Sequence, residues 1–225
     1  MKYFEISPLI SERLAVFPGD QKFRRDLSLD FKTGAHLQLS SIQTTLHLGA
    51  HADSSGHYHM DGEGIDKRSL HPFFGKAQVI DIELAGSSQN LKERRIYPQD
   101  LKVEIRAPRV LLKTNSFPDP NLWQSDFISL SPEVVDFMAA RGVSLIGIDT
   151  PSVDPETSKA LESHQALFKN NISVLEGLVL NAVPAGIYQL VALPLAIADA
   201  DASPVRAILI ESPERFPQSD LIKNI

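Results

Sequence analysis

Residues 131–148 read Ser131-Pro132-Glu133-Val134-Val135-Asp136-Phe137-Met138-Ala139-Ala140-Arg141-Gly142-Val143-Ser144-Leu145-Ile146-Gly147-Ile148. The stretch changes period half-way. Ser131 is an N-cap, Pro132 suits the first helical turn, and Glu133 places an acid at the positive end of the helix dipole. Val134, Val135, Phe137 and Met138 then recur at helical spacing, and Gly142 closes the helix. Val143 to Ile148 is short and apolar, the pattern of a buried strand. Working outward, Gln78–Ile82, Arg109–Leu112, Gln189–Leu195 and Val205–Ile210 repeat that strand signature. A second helix is expected from about Ser158 to Asn170, with Leu161, Leu167 and Phe168 on one side and Asn170-Asn171 as the stop. Strands and helices mix without strict alternation, which predicts an α/β fold with a mixed β-sheet. Residues 87–102 and 115–128 read as loops from their Ser, Asn, Pro and Asp content.

The chain has 225 residues and 43% hydrophobic content, enough for a sizeable core and consistent with one domain over residues 1–225. Its net charge of -6 and pI of about 5.6, without Lys/Arg clusters, offer no electrostatic footprint for nucleic acid or an anionic membrane. With no cysteine there are no disulfides, no thiolate metal sites and no cysteine nucleophile. The first residues do not read as a signal peptide, and no apolar run reaches the roughly 18 residues of a membrane span, so the expected location is cytoplasmic.

The chemistry concentrates in His47-Leu48-Gly49-Ala50-His51-Ala52-Asp53-Ser54-Ser55-Gly56-His57-Tyr58-His59. On a helix, Asp53 points away from His47 and His51. On a strand, Thr45, His47, Gly49, His51 and Asp53 share one face, while Leu46, Leu48, Ala50 and Ala52 share the other. The strand reading gives a core side and a side with two imidazoles and a carboxylate, Gly49 leaving room between them. Such N/O ligands suit Zn²⁺, and Mn²⁺ or Fe²⁺ accept them too. A His-x-x-x-His pair alone reads better as a surface strand; Asp53 on the same face and His57 beyond it reverse that. Spacing does not rank His164 above His71 as a further ligand. Asp81, Asp149 and Asp154 read as strand-end or turn residues, Tyr58 and Phe73-Phe74 as packing, and there is no Gly-x-Ser-x-Gly nucleophile elbow.

The run His47-Leu-Gly-Ala-His51-Ala-Asp53, then His57, resembles the metal motif of the cyclase family of amidohydrolases. The run Gly147-Ile-Asp-Thr-Pro-Ser-Val-Asp-Pro155, with Ser158-Lys159, His164, Glu176-Gly-Leu and the Phe17-Pro18-Gly19-Asp20 turn, is closest to its arylformamidase branch. The resemblance spans roughly residues 5–210. It implies a swivelling β/β/α architecture, a homodimer, and two zinc ions, with manganese as a substitute. His47, His51 and Asp53 hold the first ion in that reading and His164 the second. Asp53 and Glu176 bridge them, and His57 is the proton donor and acceptor. Phe17 takes the place of a tryptophan against the substrate ring. The implied reaction is hydrolysis of N-formyl-L-kynurenine to L-kynurenine and formate, with hydroxide drawn from metal-activated water. Ser54-Ser55-Gly56 replaces Ala-Pro-Leu before His57, which predicts a looser loop and bears on the substrate. Another arylformamide or a cyclic amide is the alternative substrate; a non-catalytic metal-binding protein is the alternative class.

Overall fold

The computed structural model describes residues 2–84 and 94–211. The strands are β1 (Tyr3–Glu5), β2 (Arg24–Leu29), β3 (Leu39–Gln43), β4 (His51–Asp53), β5 (Phe74–Asp81), β6 (Arg95–Ile96), β7 (Arg109–Lys113), β8 (Ser129–Leu130), β9 (Leu145–Ile148), β10 (Ser173–Glu176), β11 (Gly186–Val191), β12 (Ala202–Pro204) and β13 (Ile208–Ile210). The helices are α1 (Pro132–Ala139) and α2 (Glu162–Lys169). Among the described residues, nine strands form one sheet in the order β1-β13-β11-β5-β7-β9-β10-β4-β12. Its centre, β5-β7-β9-β10, is parallel, and both flanks are antiparallel. The fold is the mixed α/β sheet that the sequence predicts.

Side-chain alternation along the central strands divides the core. Ala77, Val79, Leu111, Leu145 and Leu175 pack on one face with Phe73, Leu190 and Leu209. Ile80, Val110, Leu112, Ile146, Ile148 and Val174 pack on the other, under Val134, Val135 and Met138 of α1 and Leu167 of α2. Strands buried on both faces have no polar alternation, which is why they read as continuous apolar runs.

The sequence locates α1 because its signals are local. The Ser131 hydroxyl accepts from Val134 N at 3.2 Å, and Gly142 takes the left-handed conformation (φ +76°). The other helix begins at Glu162 rather than near Ser158, for its cap is remote. Asp154 accepts the amide N–H of Ser163 (3.0 and 3.1 Å) and of His164 (3.0 Å). The loop expected at 87–102 holds β6 and a short turn at Pro98–Asp100; residues 87–93 of it lie outside the described residues. The expected loop at 115–128 is irregular throughout.

The predicted strand through residues 45–53 needs correction. Only His51–Asp53 are strand, while the chain bends through residues 46–50, with Gly49 at φ +57°. Gly49 does not simply leave room between two histidines. A β-carbon there would sit 2.8 Å from Pro8 Cγ, and one on Gly177 (φ +64°) would sit 2.1 Å from the Gly49 carbonyl oxygen. Gly177 thus lets the turn after Glu176 lie against the loop of His47, and Gly49 lets that loop lie against Pro8 and Leu14.

Candidate metal centre

Backbone pairing builds the centre. β4 runs antiparallel to β10 with His51 opposite Glu176 and Asp53 opposite Val174, so His51 and Glu176 share a face. His164 arrives from α2 and His47 from the bend before β4. The structure brings His47, His51, Asp53, His164 and Glu176 together. Asp53 Oδ1 lies 3.0 Å from His47 Nδ1 and 3.4 Å from His51 Nε2; Asp53 Oδ2 lies 3.5 Å from His164 Nε2. Glu176 Oε2 lies 3.3 Å from His51 Nε2, and its Oε1 lies 3.4 Å from His164 Nε2. Each carboxylate therefore turns one oxygen to His51 and the other to His164.

The outward nitrogens of all three imidazoles are occupied. His51 Nδ1 bonds to the Gly49 carbonyl at 2.8 Å, His164 Nδ1 to Asp154 Oδ2 at 2.8 Å, and His47 Nε2 to Asp201 Oδ2 at 2.8 Å. Each acceptor is a carbonyl or carboxylate, so each outer nitrogen carries the proton. Once the second proton is gone, that arrangement turns the lone pairs of His51 Nε2, His164 Nε2 and His47 Nδ1 toward Asp53 and Glu176. Buried His51 Nε2, His164 Nε2 and both Asp53 oxygens have no hydrogen-bond partner. Buried polar atoms without partners are costly, and here they converge. The ligand atoms of His51, Asp53 and Glu176 lie within 4.8 Å of one another, as do those of His47, Asp53 and His57. The two groups share Asp53. This donor set, all imidazole and carboxylate, fits divalent cations.

Electrostatics agree. Burial alone raises a carboxyl pKa and lowers an imidazole's, yet the reverse prevails here. The neighbouring histidines hold Asp53 well below the ordinary carboxylate range despite its burial, and Glu176 is lowered as well. His47 is pushed up to about 9 against its burial by Asp53 and Asp201, and His164 is raised by Asp154, Asp53 and Glu176. Two buried carboxylates thus draw positive charge into the space between them. Cations entering there displace imidazolium protons, so affinity falls as pH falls.

His57 ends the turn Ser55–His57 at the mouth of the centre, its side chain 36% exposed. Its ring centroid is 4.1 Å from that of His47, and its Nδ1 is 3.9 Å from Asp201 Oδ2. The loop before it is held in place. Ser54 Oγ donates to the Ala200 and Asp201 carbonyls, Ser55 Oγ accepts from Glu63 N, and Gly56 N donates to Glu63 O. Those bonds tie the segment for which the sequence predicts a looser loop. His59 stacks flat on Phe168 at 3.6 Å and plays a packing part; Tyr58 packs beside the His164 ring at 4.9 Å.

A cleft of about 350 Å³ opens over these groups. His47, His51, His57, His164 and Glu176 line it, together with Phe17, Phe117 and Trp123. Asp149 is structural, as expected: it accepts from Thr114 N, Thr114 Oγ1 and Asn115 N. Asp81 is also structural, paired with Lys113 at 2.6 Å. Asp154 exceeds its expected turn role, since it orients the His164 ring and caps α2. Asp201 and Trp123 were not foreseen. Asp201 is far from His47 in sequence, and no spacing links them; Trp123, the one tryptophan, lies in an irregular segment. Asp154→Ala should weaken metal affinity by about 10–100-fold, because such outer partners fix ligand orientation. Competition with a chromogenic chelator measures it; affinity within 2-fold of wild type refutes the role.

The "Cyclase" family model matches residues 4–155. The chain is 39% identical over 212 residues to the kynurenine formamidase of Bordetella petrii, covering 93% of this chain and 98% of that one. It is 40% identical, with the same coverage, to the kynurenine formamidase of Bordetella pertussis. Among solved structures, a potential metal-dependent hydrolase with cyclase activity superposes with TM-score 0.75 at 25% identity, over 92% of this chain and 96% of that one. An isatin hydrolase bound to a product analogue, at 16% identity and TM-score 0.75 over 92% and 91%, shares the fold. The likeness to the formamidases runs through the loop, strand and helix that carry the five converging side chains, and the chain belongs to the cyclase family, in its kynurenine formamidase branch.

Proposed function

We propose that the protein hydrolyses N-formyl-L-kynurenine to L-kynurenine and formate, using two zinc ions held by His47, His51, Asp53, His164 and Glu176. The observation that carries this is the convergence of three imidazole lone pairs and two carboxylates, outer nitrogens tied down, at the floor of a cleft with an aromatic wall. Cations held by these residues would supply Lewis acidity toward the formyl oxygen and would lower the pKa of water toward neutrality.

The chain's own residues do the rest. The aromatic rings of the cleft hold the arene, which points the formyl group at the centre. His57, neutral at the cleft mouth, accepts the proton that attacking water loses. It then delivers that proton to the amide nitrogen as the C–N bond breaks, because an anilide anion is a poor leaving group. Water supplies the new C–O bond of formate, and the arylamine departs neutral. Asp201, 3.9 Å from His57 Nδ1, faces the imidazolium formed between the two transfers.

Elemental analysis with hydrolysis of N-formyl-L-kynurenine, other arylformamides and cyclic amides tests the reading. Two zinc per chain with turnover of N-formyl-L-kynurenine is the expected result; turnover of a ring amide alone overturns the substrate. Manganese is the expected substitute ion. We also propose a homodimer. The β2–β3 hairpin is a separate two-stranded sheet that exposes Leu27, Leu29, Leu39 and Ile42, and such a pair is marginal unless covered. A second copy is the occupant proposed, and sedimentation velocity giving only monomer refutes it. No described helix is long and apolar enough to cross a membrane.

A further inference from the structure

We propose that Trp123 is the specificity-determining wall for the substrate's aryl group, and that Glu156 positions it. This rests on the arylformamide reading above. Trp123 is the only tryptophan in the chain, half-buried, and belongs to neither packed core cluster. It faces the cleft with Phe17 and Phe117. Its indole meets the Phe17 ring edge-on at 5.2 Å, Phe117 at 5.7 Å and buried Phe127 at 6.1 Å. Edges of these rings thus support the indole from several sides, and an indole so held offers a large rigid platform to an arene.

The polar handle is fixed as well. Trp123 Nε1–H donates to Glu156 Oε2 at 2.9 Å. Glu156 stands on the short run that serves the metal centre. Val153 N donates to Glu176 Oε1 at 2.7 Å, and Asp154 Oδ2 accepts from His164 Nδ1 at 2.8 Å. Four consecutive residues, 153–156, therefore hold a carboxylate, an imidazole and the indole at set separations. The distance between the reacting carbonyl and the arene platform is built into one stretch of backbone. Two further ties place the platform: Ala15 N donates to Pro120 O at 3.0 Å, joining the Phe17 segment to that of Trp123, and Ser116 Oγ accepts from Ile128 N at 2.9 Å.

The test uses zinc-loaded wild type, Trp123→Leu, Glu156→Ala and Glu156→Gln, with metal content checked for each. Two substrates are compared: N-formyl-L-kynurenine, and N-(2,2,2-trifluoroethyl)formamide, which has no ring but an activated leaving amine. Trp123→Leu should raise KM for the aryl substrate by about 10-fold or more with kcat little changed, and leave kcat/KM for the alkyl substrate within about 2-fold. Glu156→Ala should raise the aryl KM by about 3–10-fold, and Glu156→Gln should restore it, since its amide oxygen accepts the same N–H. Fluorescence gives a readout apart from turnover. L-Kynurenine titrated into metal-free wild type should quench the single tryptophan saturably. An unchanged aryl preference in Trp123→Leu overturns the proposal, as does unquenched emission. Equal effects of Glu156→Ala and Glu156→Gln remove Glu156 from it. If the wild type hydrolyses no arylformamide the functional reading fails, and calorimetric affinity for L-kynurenine, lower in Trp123→Leu than in wild type or equal in both, still decides whether an arene meets Trp123.

Discussion

Asp53→Ala is expected to lose metal and activity together, with metal affinity down at least about 100-fold and kcat/KM down at least about 1,000-fold. Asp53 is the residue whose carboxylate approaches all three imidazoles, through Oδ1 to His47 and His51 and through Oδ2 to His164. Glu176 approaches only His51 and His164, so it leaves the His47 side without an anionic donor. A folding defect would mimic this result, and melting curves with and without zinc separate the two. In the metal-free protein Asp53 is a carboxylate 2% exposed, with neither oxygen hydrogen-bonded. Its removal leaves a small cavity and takes away the anion that pairs with the His47 and His164 imidazoles, so the metal-free protein loses some stability as well. The metal-free melting temperature should therefore fall while the far-UV circular dichroism stays that of the wild type, and the rise produced by zinc should vanish, because a ligand stabilises only what it binds. Retention of two zinc per chain in Asp53→Ala would refute the shared-carboxylate arrangement. Asp53→Asn keeps an oxygen donor and loses the charge, and should fall between wild type and Asp53→Ala in affinity.

How much of this could be read beforehand follows from where the causes lie along the chain. The central strands β5, β7 and β9 and the helix α1 are legible because burial on both faces and a local cap leave local marks. The hairpin β2–β3 leaves none: it is exposed on both faces, so no face selects apolar residues. His51 and Asp53 are legible as a pair, for residues two apart share a face of any strand. The structure brings His47 beside Asp53, but not by the strand the sequence predicts, since it arrives from a bend with Gly49 in the left-handed conformation. Glu176 and His51 meet through β4–β10 pairing, which spacing cannot express; only the family resemblance singled out Glu176. Likewise the cap of α2 is Asp154, outside the helix, so the sequence places that helix start four residues early. Asp201 and Trp123 are the residues least visible beforehand, because their partners, His47 and Glu156, are distant in the chain.

His57→Ala is expected to lower turnover by about 100-fold or more while metal content stays near wild type. The two halves of that result have separate structural origins. Among the described residues, His57 makes no hydrogen bond that holds another ligand, and its side chain is 36% exposed, so its loss leaves the tied imidazoles of His47, His51 and His164 in place. What disappears is the one exposed imidazole at the mouth of the cleft. The pH profile distinguishes a proton carrier from a mere wall. Burial lowers the pKa of His57 below the ordinary 6.5, the neighbouring imidazoles push it the same way, and Asp53 and Glu176 oppose them without prevailing. Cations in the centre add positive charge and lower it further. His57 must be neutral to accept the proton of water, so kcat/KM should hold down to a pH below 6.5 and fall only as His57 becomes protonated. In His57→Ala that fall should be absent over the pH range in which zinc stays bound. A fall that persists and tracks loss of zinc belongs to protons competing for the metal ligands. Turnover unchanged by the substitution would take His57 out of the mechanism and leave proton transfer to solvent.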